Sequence, residues 1–445
     1  MRPLLAEDLS AGHVSCTRTQ RMDRLPWQSQ LIATRKRLPM KRRDVLLGAA
    51  TLAAPAIRSA QAQTHKTLVF GGSVPLTGAA AETGLNVNNG YLTATKYLNE
   101  LLGGVEIGGE KYRIQLKLFD DASDPARATT LIQRQIDDGT DFFLGSFGSN
   151  IVLPTAAITE RAHKPMVQTG GGSDAIFTRG FKYVFGMYPR ATRQFAAAAA
   201  LFKTLHPTPQ SYSVIYTNDA FSKTAAEGVK LSCDAAGLKR LDTYELPQKP
   251  TDVSSVLGSV RSKTPDLLIC VMHDEDSLLI ARQMVATRTN VKLLFQGLGP
   301  QLASFRAALG KYSEALLCST YWDESVPYKD KFFGNSKQFA DYYHSKFTRP
   351  IAYHTAGAAA CILTYILAMQ AANSIDPKAV RDALAAADFE TFYSRIKFTP
   401  QGDGDPLLMG GMVAQVQKGK LETVFPVAAK TADPIYPAPP WDKKA

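Results

Sequence analysis

The sequence has 445 residues, of which 45% are hydrophobic and 20% are charged, so it can bury a large core and form two or more domains. Its formal net charge of +11 could indicate binding to nucleic acid. However, residues 1–62 hold eleven Lys or Arg and four Asp or Glu, a net charge of +7, which leaves only +4 for all later residues. No long basic run remains there, and the composition therefore argues against a nucleic-acid-binding protein.

A short apolar segment near the N-terminus has the pattern of an export signal. Residues 41–63 begin with three basic residues, continue with an apolar run and end in the small-x-small sequence AQA at 60–62. The apolar run is too short to span a bilayer as a stable helix. Arg42 and Arg43 resemble the pair of a twin-arginine signal, whereas Lys41 departs from that pattern, so twin-arginine and Sec export both stay open.

The residues before this segment (1–39) are polar and basic, without a helical or strand-like pattern. Met40 stands directly before the basic cluster, and we expect it to be the true start; a long signal region is the alternative. The signal predicts cleavage near Gln63 and places the mature protein in the periplasm.

The cysteines form neither a metal-binding nor a redox motif. Cys16 precedes the predicted cleavage site, and Cys233, Cys270, Cys318 and Cys361 are widely spaced in the rest of the chain. Cys270 and Cys318 lie in apolar runs, where a small buried side chain is the simplest interpretation. Disulfides stay open, since the compartment is oxidising. Because no Cys-x-x-Cys pair or metal-ligand spacing with histidines occurs, we predict neither a metal nor a cofactor.

From Lys66 onward, short apolar runs alternate with amphipathic segments. Eight runs are predicted to be strands, and they are 67–74, 112–120, 142–147, 165–170, 211–216, 266–272, 292–297 and 315–321. Strands that alternate with helices predict an α/β protein with parallel sheets. Eight such units exceed one small sheet, so we predict two doubly wound, Rossmann-like lobes.

The sequence also predicts one helix start and the course of the C-terminal tail. Asp124 followed by Pro125 predicts the N-cap and first residue of a helix. A cation site formed by Asp124 with Asp120 and Asp121 is the alternative. The proline-rich tail, residues 431–445, is predicted to run extended over the surface.

The sequence does not contain the motifs of common catalytic sites. Gly71, Gly72 and Gly78 do not form the Gly-x-Gly-x-x-Gly pattern of a dinucleotide site. Residues 145–149 read Gly-Ser-Phe-Gly-Ser rather than the Gly-x-Ser-x-Gly of a hydrolase. We therefore predict that the protein is not an enzyme.

Four segments, in a characteristic order, carry a resemblance to a known family. They are VPLTGAAAETG (74–84), LFDDASDPARA (118–128), LGSFGSN (144–150) and MVQTGGGS (166–173). Together they resemble the leucine/isoleucine/valine-binding proteins, the type I periplasmic binding proteins of ABC transporters, including the amide- and aromatic-acid-binding branches. The resemblance covers about residues 66–430.

The resemblance implies two lobes joined by three crossing strands, with one solute bound in the cleft between them. We assign residues 63–189 and 322–390 to lobe 1, and 190–321 and 391–430 to lobe 2. It also implies that the protein is a monomer that passes its solute to the membrane permease of an ABC importer. An extracytoplasmic ligand sensor on the same fold is the alternative.

Five predicted ligand contacts lie in lobe 1, and they are Thr83 near the first loop and four residues in two later loops. Ser149 resembles the family serine that holds a ligand carboxylate, and the following segment is predicted to be a helix whose N-terminal amides favour an anion. Gly171 and Gly172 resemble a loop that brings its backbone close to the ligand, and Ser173 could add a hydroxyl. A plain turn is the alternative for this loop.

The other predicted contacts are Phe221, an aromatic residue that packs on the ligand, and His273 and Asp274 in a neighbouring loop. Thr83 replaces a bulky aromatic residue that the family places near the first loop, which would widen the pocket. Leu298 stands where branched-chain amino-acid receptors have an acidic partner for the ligand ammonium. The ligand is therefore either an amino acid paired with Asp274 or a solute without an amino group, such as an amide, keto acid or aromatic carboxylate.

Overall fold

A computed structural model describes residues 66–444. The predicted signal segment, the proposed start at Met40 and the predicted mature terminus at Gln63 lie outside the described residues. Within the described range the protein is built from two β-sheets, each flanked by helices.

The first sheet has six strands in the order β2-β3-β1-β4-β5-β6. Their bounds are β1 Lys66–Val74, β2 Val105–Ile107, β3 Glu110–Asp120, β4 Phe142–Leu144, β5 Met166–Gln168 and β6 Val184–Gly186. All neighbours are parallel except the edge pair β2 and β3. Because the central strands are buried on both faces, they are almost continuously apolar.

The second sheet has seven strands in the order β17-β16-β11-β10-β9-β7-β8. Their bounds are β7 Ser211–Thr217, β8 Lys239–Leu246, β9 Leu267–Val271, β10 Leu293–Gln296, β11 Leu317–Thr320, β16 Met412–Gln417 and β17 Lys420–Phe425. Strands β7 to β11 are parallel, and β16 and β17 add an antiparallel hairpin at one edge. Two short hairpins lie outside both sheets, β12 Lys329–Asp330 with β13 Gly334–Asn335 and β14 Phe389–Glu390 with β15 Arg395–Ile396.

Thirteen α-helices occur within residues 66–444. They are α1 Ala81–Lys96, α2 Pro125–Asp137, α3 Ser149–Arg161, α4 Asp174–Phe177, α5 Ala191–Gln194, α6 Ala196–Thr204, α7 Ala220–Ala235, α8 Ser254–Lys263, α9 Asp274–Ala286, α10 Ala303–Leu309, α11 Ser336–Lys346, α12 Tyr353–Ala372 and α13 Pro377–Ala385. The prediction of an α/β protein with two doubly wound lobes is confirmed.

The chain passes between the two lobes three times. It leaves the first sheet after β6, returns to the first lobe after β11, and crosses again before β16. Between the second and third crossings, α11, α12 and α13 pack into the first core. Three connections of this kind allow two lobes to hinge against each other.

Helix α12 is the central element of the first core. It is long and apolar enough to cross a membrane, but most of it is buried against α1 and the first sheet. Helices α1 and α12 approach each other so closely that position 90 requires a glycine. A Cβ on Gly90 of α1 would lie 2.2 Å from the Thr355 carbonyl oxygen of α12. Helix α12 is therefore the core helix of a lobe.

The three aspartates after β3 serve as caps and turn anchors. Asp124 accepts hydrogen bonds from the backbone of Ala126 and Arg127 at the start of α2. Asp120 accepts from the amides of Leu76 and Thr77. These contacts support the capping role predicted for Asp124 and use the acceptor atoms that a cation would need.

The lobe boundaries stay a prediction, but one stretch differs from it. Phe392, Ile396 and Phe398, which we predicted in lobe 2, are buried in the first core together with α12. The crossing into the second sheet therefore comes later than residue 391, because these apolar side chains follow α13 into its own core.

The proline-rich tail also differs from its prediction. Instead of ending as an extended surface segment, it forms a short 3₁₀ turn at Trp441–Lys443, and Trp441 is buried in a core of the second lobe. The Trp441 indole donates to the Thr289 carbonyl oxygen at 2.6 Å. The aromatic side chain, rather than the prolines, decides where this segment lies.

Candidate functional site

A cavity of about 30 Å³ lies where strand-end loops of the two lobes meet. Its lining residues are Phe147, Ser149, Thr169, Gly170, Gly172, Tyr188, Gln194, Phe221, His273, Leu298, Tyr321, Tyr353 and His354. Most follow the carboxyl ends of parallel strands, the usual position of ligands in open α/β sheets. The cavity is much smaller than the roughly 150 Å³ that accommodates a benzene molecule. A solute therefore requires the lobes or the lining side chains to move apart.

Ser149 begins helix α3 at one end of this cavity. The chain turns from β4 into α3 through Gly148, whose φ of 98° favours glycine. The Ser149 hydroxyl oxygen accepts hydrogen bonds from the amides of Gly172 and Ser173, at 3.1 and 3.0 Å. Since both bonds use oxygen lone pairs, the hydroxyl proton remains available for a ligand acceptor.

A buried carboxylate fixes the loop before Ser149. Asp121, at the end of β3, accepts hydrogen bonds from the hydroxyls of Ser73 and Ser146. Burial raises the pKa of Asp121, and the hydroxyl bonds partly oppose that shift. The ends of β1, β3 and β4 are thus joined at one point, which positions the first turn of α3.

Two neighbouring glycines of the loop after β5 have different surroundings: Gly172 faces the cavity, and Gly171 packs against the interior of lobe 1. Gly172 lines the cavity, and a Cβ there would lie 2.5 Å from Gln194 Nε2 and 3.2 Å from the Phe221 ring. A Cβ on Gly171 would instead meet Ile176 and Val152 inside the lobe, at 2.6 and 2.7 Å. Gly171 is therefore not part of the cavity lining, and its amide and carbonyl oxygen are hydrogen bonded to the Gln168 side chain, so its direct contact with a ligand stays a prediction.

Ser173 also lies outside the cavity lining. Its hydroxyl accepts from the Ala175 amide and caps the short helix α4, while its own amide donates to Ser149. We predicted a ligand hydroxyl at this position; the structure instead shows a residue that supports Ser149.

Two lobe 2 residues face the cavity as predicted. The Phe221 and His273 rings are 5.6 Å apart, and Phe147 from lobe 1 lies 6.2 Å from His273. His273 Nε2 is 3.5 Å from Asp219 Oδ1. Burial lowers the pKa of His273, but the hydrogen bond to Asp219 and the charges of Asp219, Asp274 and Asp276 outweigh it and raise that pKa. His273 therefore supplies positive charge beside the cavity.

Asp219 is the counterion of His273 and the N-cap of α7. Burial raises its pKa, but the bond with His273 and bonds from Ser222 outweigh burial, so the pKa of Asp219 is strongly lowered. Its side chain also accepts from the amide of Phe221 and the hydroxyl of Thr217. This ionised carboxylate holds His273 and Phe221 at the edge of the cavity.

Thr83 and Asp274 are not part of the cavity lining. The Thr83 hydroxyl donates to Asp274 Oδ2 at 3.0 Å, which links α1 of lobe 1 to α9 of lobe 2. Gln301 Nε2 donates to the other carboxylate oxygen at 2.9 Å. Burial raises the pKa of Asp274. In this arrangement the two side chains bind each other, and their role as ligand contacts stays a prediction.

An aromatic wall that the sequence did not identify completes the site. Tyr188 and Tyr321 have ring centroids 4.5 Å apart, and Tyr353 lies 5.4 Å from Tyr321. Tyr188 follows β6, Tyr321 follows β11, and Tyr353 begins α12. Tyrosines directly after buried strands could have indicated them, but the contribution of α12 depends on the third crossing of the chain.

His354, next to Tyr353, is the second histidine of the cavity. It is 2% exposed, and its Nδ1 atom has no hydrogen-bond partner within residues 66–444. Burial lowers the pKa of His354 to about 3, so the ring is neutral at ordinary pH. The pKa values of His354 and His273 therefore shift in opposite directions, although both rings contact Phe147.

Two α/β lobes that are joined by three crossings and enclose a cavity at their strand ends have the architecture of a cleft-type solute receptor. The sequence pattern of the periplasmic binding protein family matches residues 67–420. The chain belongs to this family, and the predicted solute-binding role is confirmed.

Relatives and solved structures agree with this assignment. The chain is 24% identical over 359 residues to a leucine-, isoleucine-, valine-, threonine- and alanine-binding protein of Pseudomonas aeruginosa, covering 80% of this chain and 92% of the relative. It shares its fold with a leucine-binding protein from Thermotoga maritima, with a TM-score of 0.69, 20% identity and coverage of 80% and 97%. A solute-binding protein of R. palustris in complex with benzoate has a TM-score of 0.68, 17% identity and coverage of 82% and 98%.

Proposed function

We propose that this protein is the substrate-binding component of an ABC importer and captures a small carboxylate between its lobes. The observation that carries the proposal is the position of Ser149, which lines the cavity at the N-terminus of α3. The first amides of a thirteen-residue helix and the hydroxyl proton of Ser149 supply donors to an anion. His273 adds positive charge from the other lobe.

The proposed mechanism is closure around the solute. The carboxylate first binds at Ser149 and Gly172 on lobe 1, and Phe221 and His273 then approach from lobe 2. Contacts made only in the closed form shift the population towards that form. A micromolar dissociation constant corresponds to about 8 kcal/mol, which a few charge-assisted hydrogen bonds and apolar burial can supply.

The names of similar proteins support a small organic solute. Their ligands, as named, include leucine, isoleucine and benzoate. These solutes share a carboxylate next to an apolar group, and this combination fits a cavity with donors at one end and aromatic rings around it.

Replacement of Ser149 by Ala tests the carboxylate site. A thermal-shift screen of branched-chain amino acids, amides, keto acids and aromatic acids first identifies a solute. We expect Ser149→Ala to weaken its binding about tenfold in calorimetry, because the variant loses a hydrogen bond to a charged group. Ser173→Ala is the matched control, since Ser173 lies beside Ser149 but outside the cavity lining. Equal affinity of Ser149→Ala and the parent protein would remove Ser149 from the site.

We further propose that the protein reaches the periplasm through the signal within residues 41–63. Family membership supports an extracytoplasmic location. N-terminal sequencing of the exported protein should give a terminus near Gln63. Export in a strain without the twin-arginine translocase distinguishes the two routes, and a terminus far upstream of Gln63 would contradict the cleavage site.

A further inference from the structure

We propose that His354 determines the specificity of this site by hydrogen bonding to an uncharged polar group on the bound carboxylate. The solute is then an aromatic carboxylate with a hydroxyl or carbonyl substituent, rather than an amino acid. This inference rests on the proposed function, since it concerns the same cavity.

The first argument is that an α-ammonium group would have no carboxylate partner in the cavity. Among the lining residues, which all fall within the described part of the chain, none is acidic, and Leu298 is one of them. The nearby carboxylates are already engaged. Asp219 accepts from the backbone of Phe221 and Ser222 and from two hydroxyls. An unpaired buried ammonium group is strongly unfavourable, so an amino acid fits this site poorly.

Asp274 cannot easily replace the missing acid. Thr83 donates to one of its oxygens and Gln301 to the other. An ammonium group could bind there only if these bonds, one of which joins the two lobes, were broken. A solute without an amino group leaves them in place.

The second argument is the unsatisfied polar atom of His354. The ring stacks on Tyr353 at 3.9 Å and meets the edge of Phe147 at 5.1 Å, so the surrounding rings fix its orientation. Its Nδ1 lacks a hydrogen-bond partner among residues 66–444, although the side chain is 2% exposed. Buried polar atoms without a partner are unfavourable and rare, and because His354 lines the cavity, a polar group of a solute can hydrogen bond to its ring.

The third argument concerns charge and shape. Burial holds the pKa of His354 near 3, which keeps the ring neutral, so one nitrogen can donate and the other can accept. A neutral imidazole suits a hydroxyl or carbonyl group better than a second carboxylate. Tyr188, Tyr321 and Tyr353 surround this part of the cavity with rings, which favours an aromatic solute.

The experiment compares five solutes on four forms of the protein. Benzoate, 3-hydroxybenzoate, 4-hydroxybenzoate, L-leucine and L-phenylalanine are titrated by calorimetry into the parent protein and into His354→Phe, His354→Asn and His344→Phe. His354→Phe keeps a ring but removes both nitrogens, whereas His354→Asn keeps a donor and an acceptor. His344→Phe makes the same change at an exposed histidine and serves as control.

We expect the parent protein to bind one hydroxybenzoate at least fivefold more tightly than benzoate, and both more tightly than either amino acid. His354→Phe should lose about tenfold in hydroxybenzoate affinity and change benzoate affinity less than threefold, which removes the preference. His354→Asn should retain part of the preference, and His344→Phe all of it. Melting curves establish that each variant is folded. If His354→Phe does not fold, the preference for hydroxybenzoate over benzoate is compared between the parent protein and His354→Asn instead.

The possible failures are distinguishable. Tighter binding of L-leucine or L-phenylalanine than of any benzoate would overturn this inference and leave the carboxylate site of the proposed function intact. An unchanged preference for hydroxybenzoate in His354→Phe would overturn the role of His354 alone. No binding of any of the five carboxylates would overturn both this inference and the proposed carboxylate site.

Discussion

The hydroxyl of Thr83 donates a hydrogen bond to the carboxylate of Asp274 at 3.0 Å, between helices of different lobes. A second polar contact lies near it, since Ser304 of α10 donates to Glu82 of α1 at 3.2 Å. Both contacts exist only while the lobes are together. They therefore stabilise the closed form without touching the solute directly.

The Thr83–Asp274 contact predicts an effect on affinity that originates outside the cavity. Thr83→Val removes the donor and leaves a buried carboxylate with one fewer partner, which costs about 1.5 kcal/mol or more in the closed form. We expect solute binding to weaken about tenfold, since only the closed form loses the bond. Calorimetry measures the affinity, and small-angle scattering measures the fraction of closed molecules.

Thr93→Val is the control for this prediction. Thr93 lies on the same helix, but its hydroxyl donates to the Asn89 carbonyl oxygen within α1. If Thr93→Val weakened binding as much as Thr83→Val, loss of helix packing rather than of the bond between lobes would be the cause.

His273 predicts a pH dependence of binding. Groups that face it are Asp219 from the loop before α7 and Asp274 and Asp276 from its own helix, and together they raise its pKa. Its positive charge is therefore complete below about pH 6.5 and is lost as the pH rises through the raised pKa. We expect the affinity for a carboxylate to fall as the pH rises above about 6.5. The matched variant His273→Gln should bind more weakly and show a flatter profile; a pH dependence equal to that of the parent protein would contradict the role of His273.

The ion pair of Asp219 and His273 also affects folding stability. The pKa of Asp219 is lowered, so its contribution is present above its unfolded value near pH 4 and is lost as the pH falls through the folded value. The contribution of His273 is lost in the opposite direction, as the pH rises. Urea unfolding of Asp219→Asn should therefore differ most from that of the parent protein between about pH 4 and pH 6.5.

The buried parallel strands were predictable from the sequence, whereas the edges were not. All eight predicted runs form strands, and the central ones are predominantly apolar because both faces of a parallel sheet are covered. Strand β8 was missed, since this edge strand carries charged residues such as Lys239 and Arg240 and is largely exposed or half-buried. The hairpin of β16 and β17 was missed because its pairing partner, β11, is about 95 residues earlier in the chain.

The site was predictable only where its residues follow strands in local sequence motifs. Ser149, Gly172, Phe221 and His273 lie at the ends of predicted strands and line the cavity. His354 does not, because it comes from a helix that reaches the cavity only through the packing of lobe 1. Gly171 is the opposite case, since a motif does not indicate which of two adjacent glycines lines the cavity.

Alanine substitutions of Gly171 and Gly172 should affect solute affinity differently. Gly172→Ala places a methyl group 2.5 Å from Gln194 Nε2 and beside Phe221, in space that the solute needs. We expect at least a tenfold loss of affinity together with some loss of stability, because the buried Gln194 side chain must shift. Gly171→Ala forces a methyl group against Val152 and Ile176, and overpacking of this kind costs about 1–3 kcal/mol of stability. Urea unfolding should show a loss of stability in both variants, whereas calorimetry should show a large loss of affinity in Gly172→Ala alone. Equal loss of affinity in both would place Gly171 in the site after all.

Trp441 predicts that the C-terminal segment contributes to the stability of lobe 2. Its side chain is 6% exposed, its backbone amide donates to Asn290 Oδ1 at 3.0 Å, and Lys444 places its ammonium group 3.8 Å from the ring centroid. Trp441→Ala leaves a cavity in an otherwise packed core, and such changes cost about 3–5 kcal/mol.

We expect urea unfolding of Trp441→Ala to show a corresponding loss of stability. Leu407→Ala, at a side chain that is 91% exposed, should change stability by less than about 0.5 kcal/mol. Because Trp441 lies outside the cavity lining, solute affinity at low temperature should stay the same in both variants. A Trp441→Ala protein as stable as Leu407→Ala would show that the tail only rests on the surface, as its proline content had suggested.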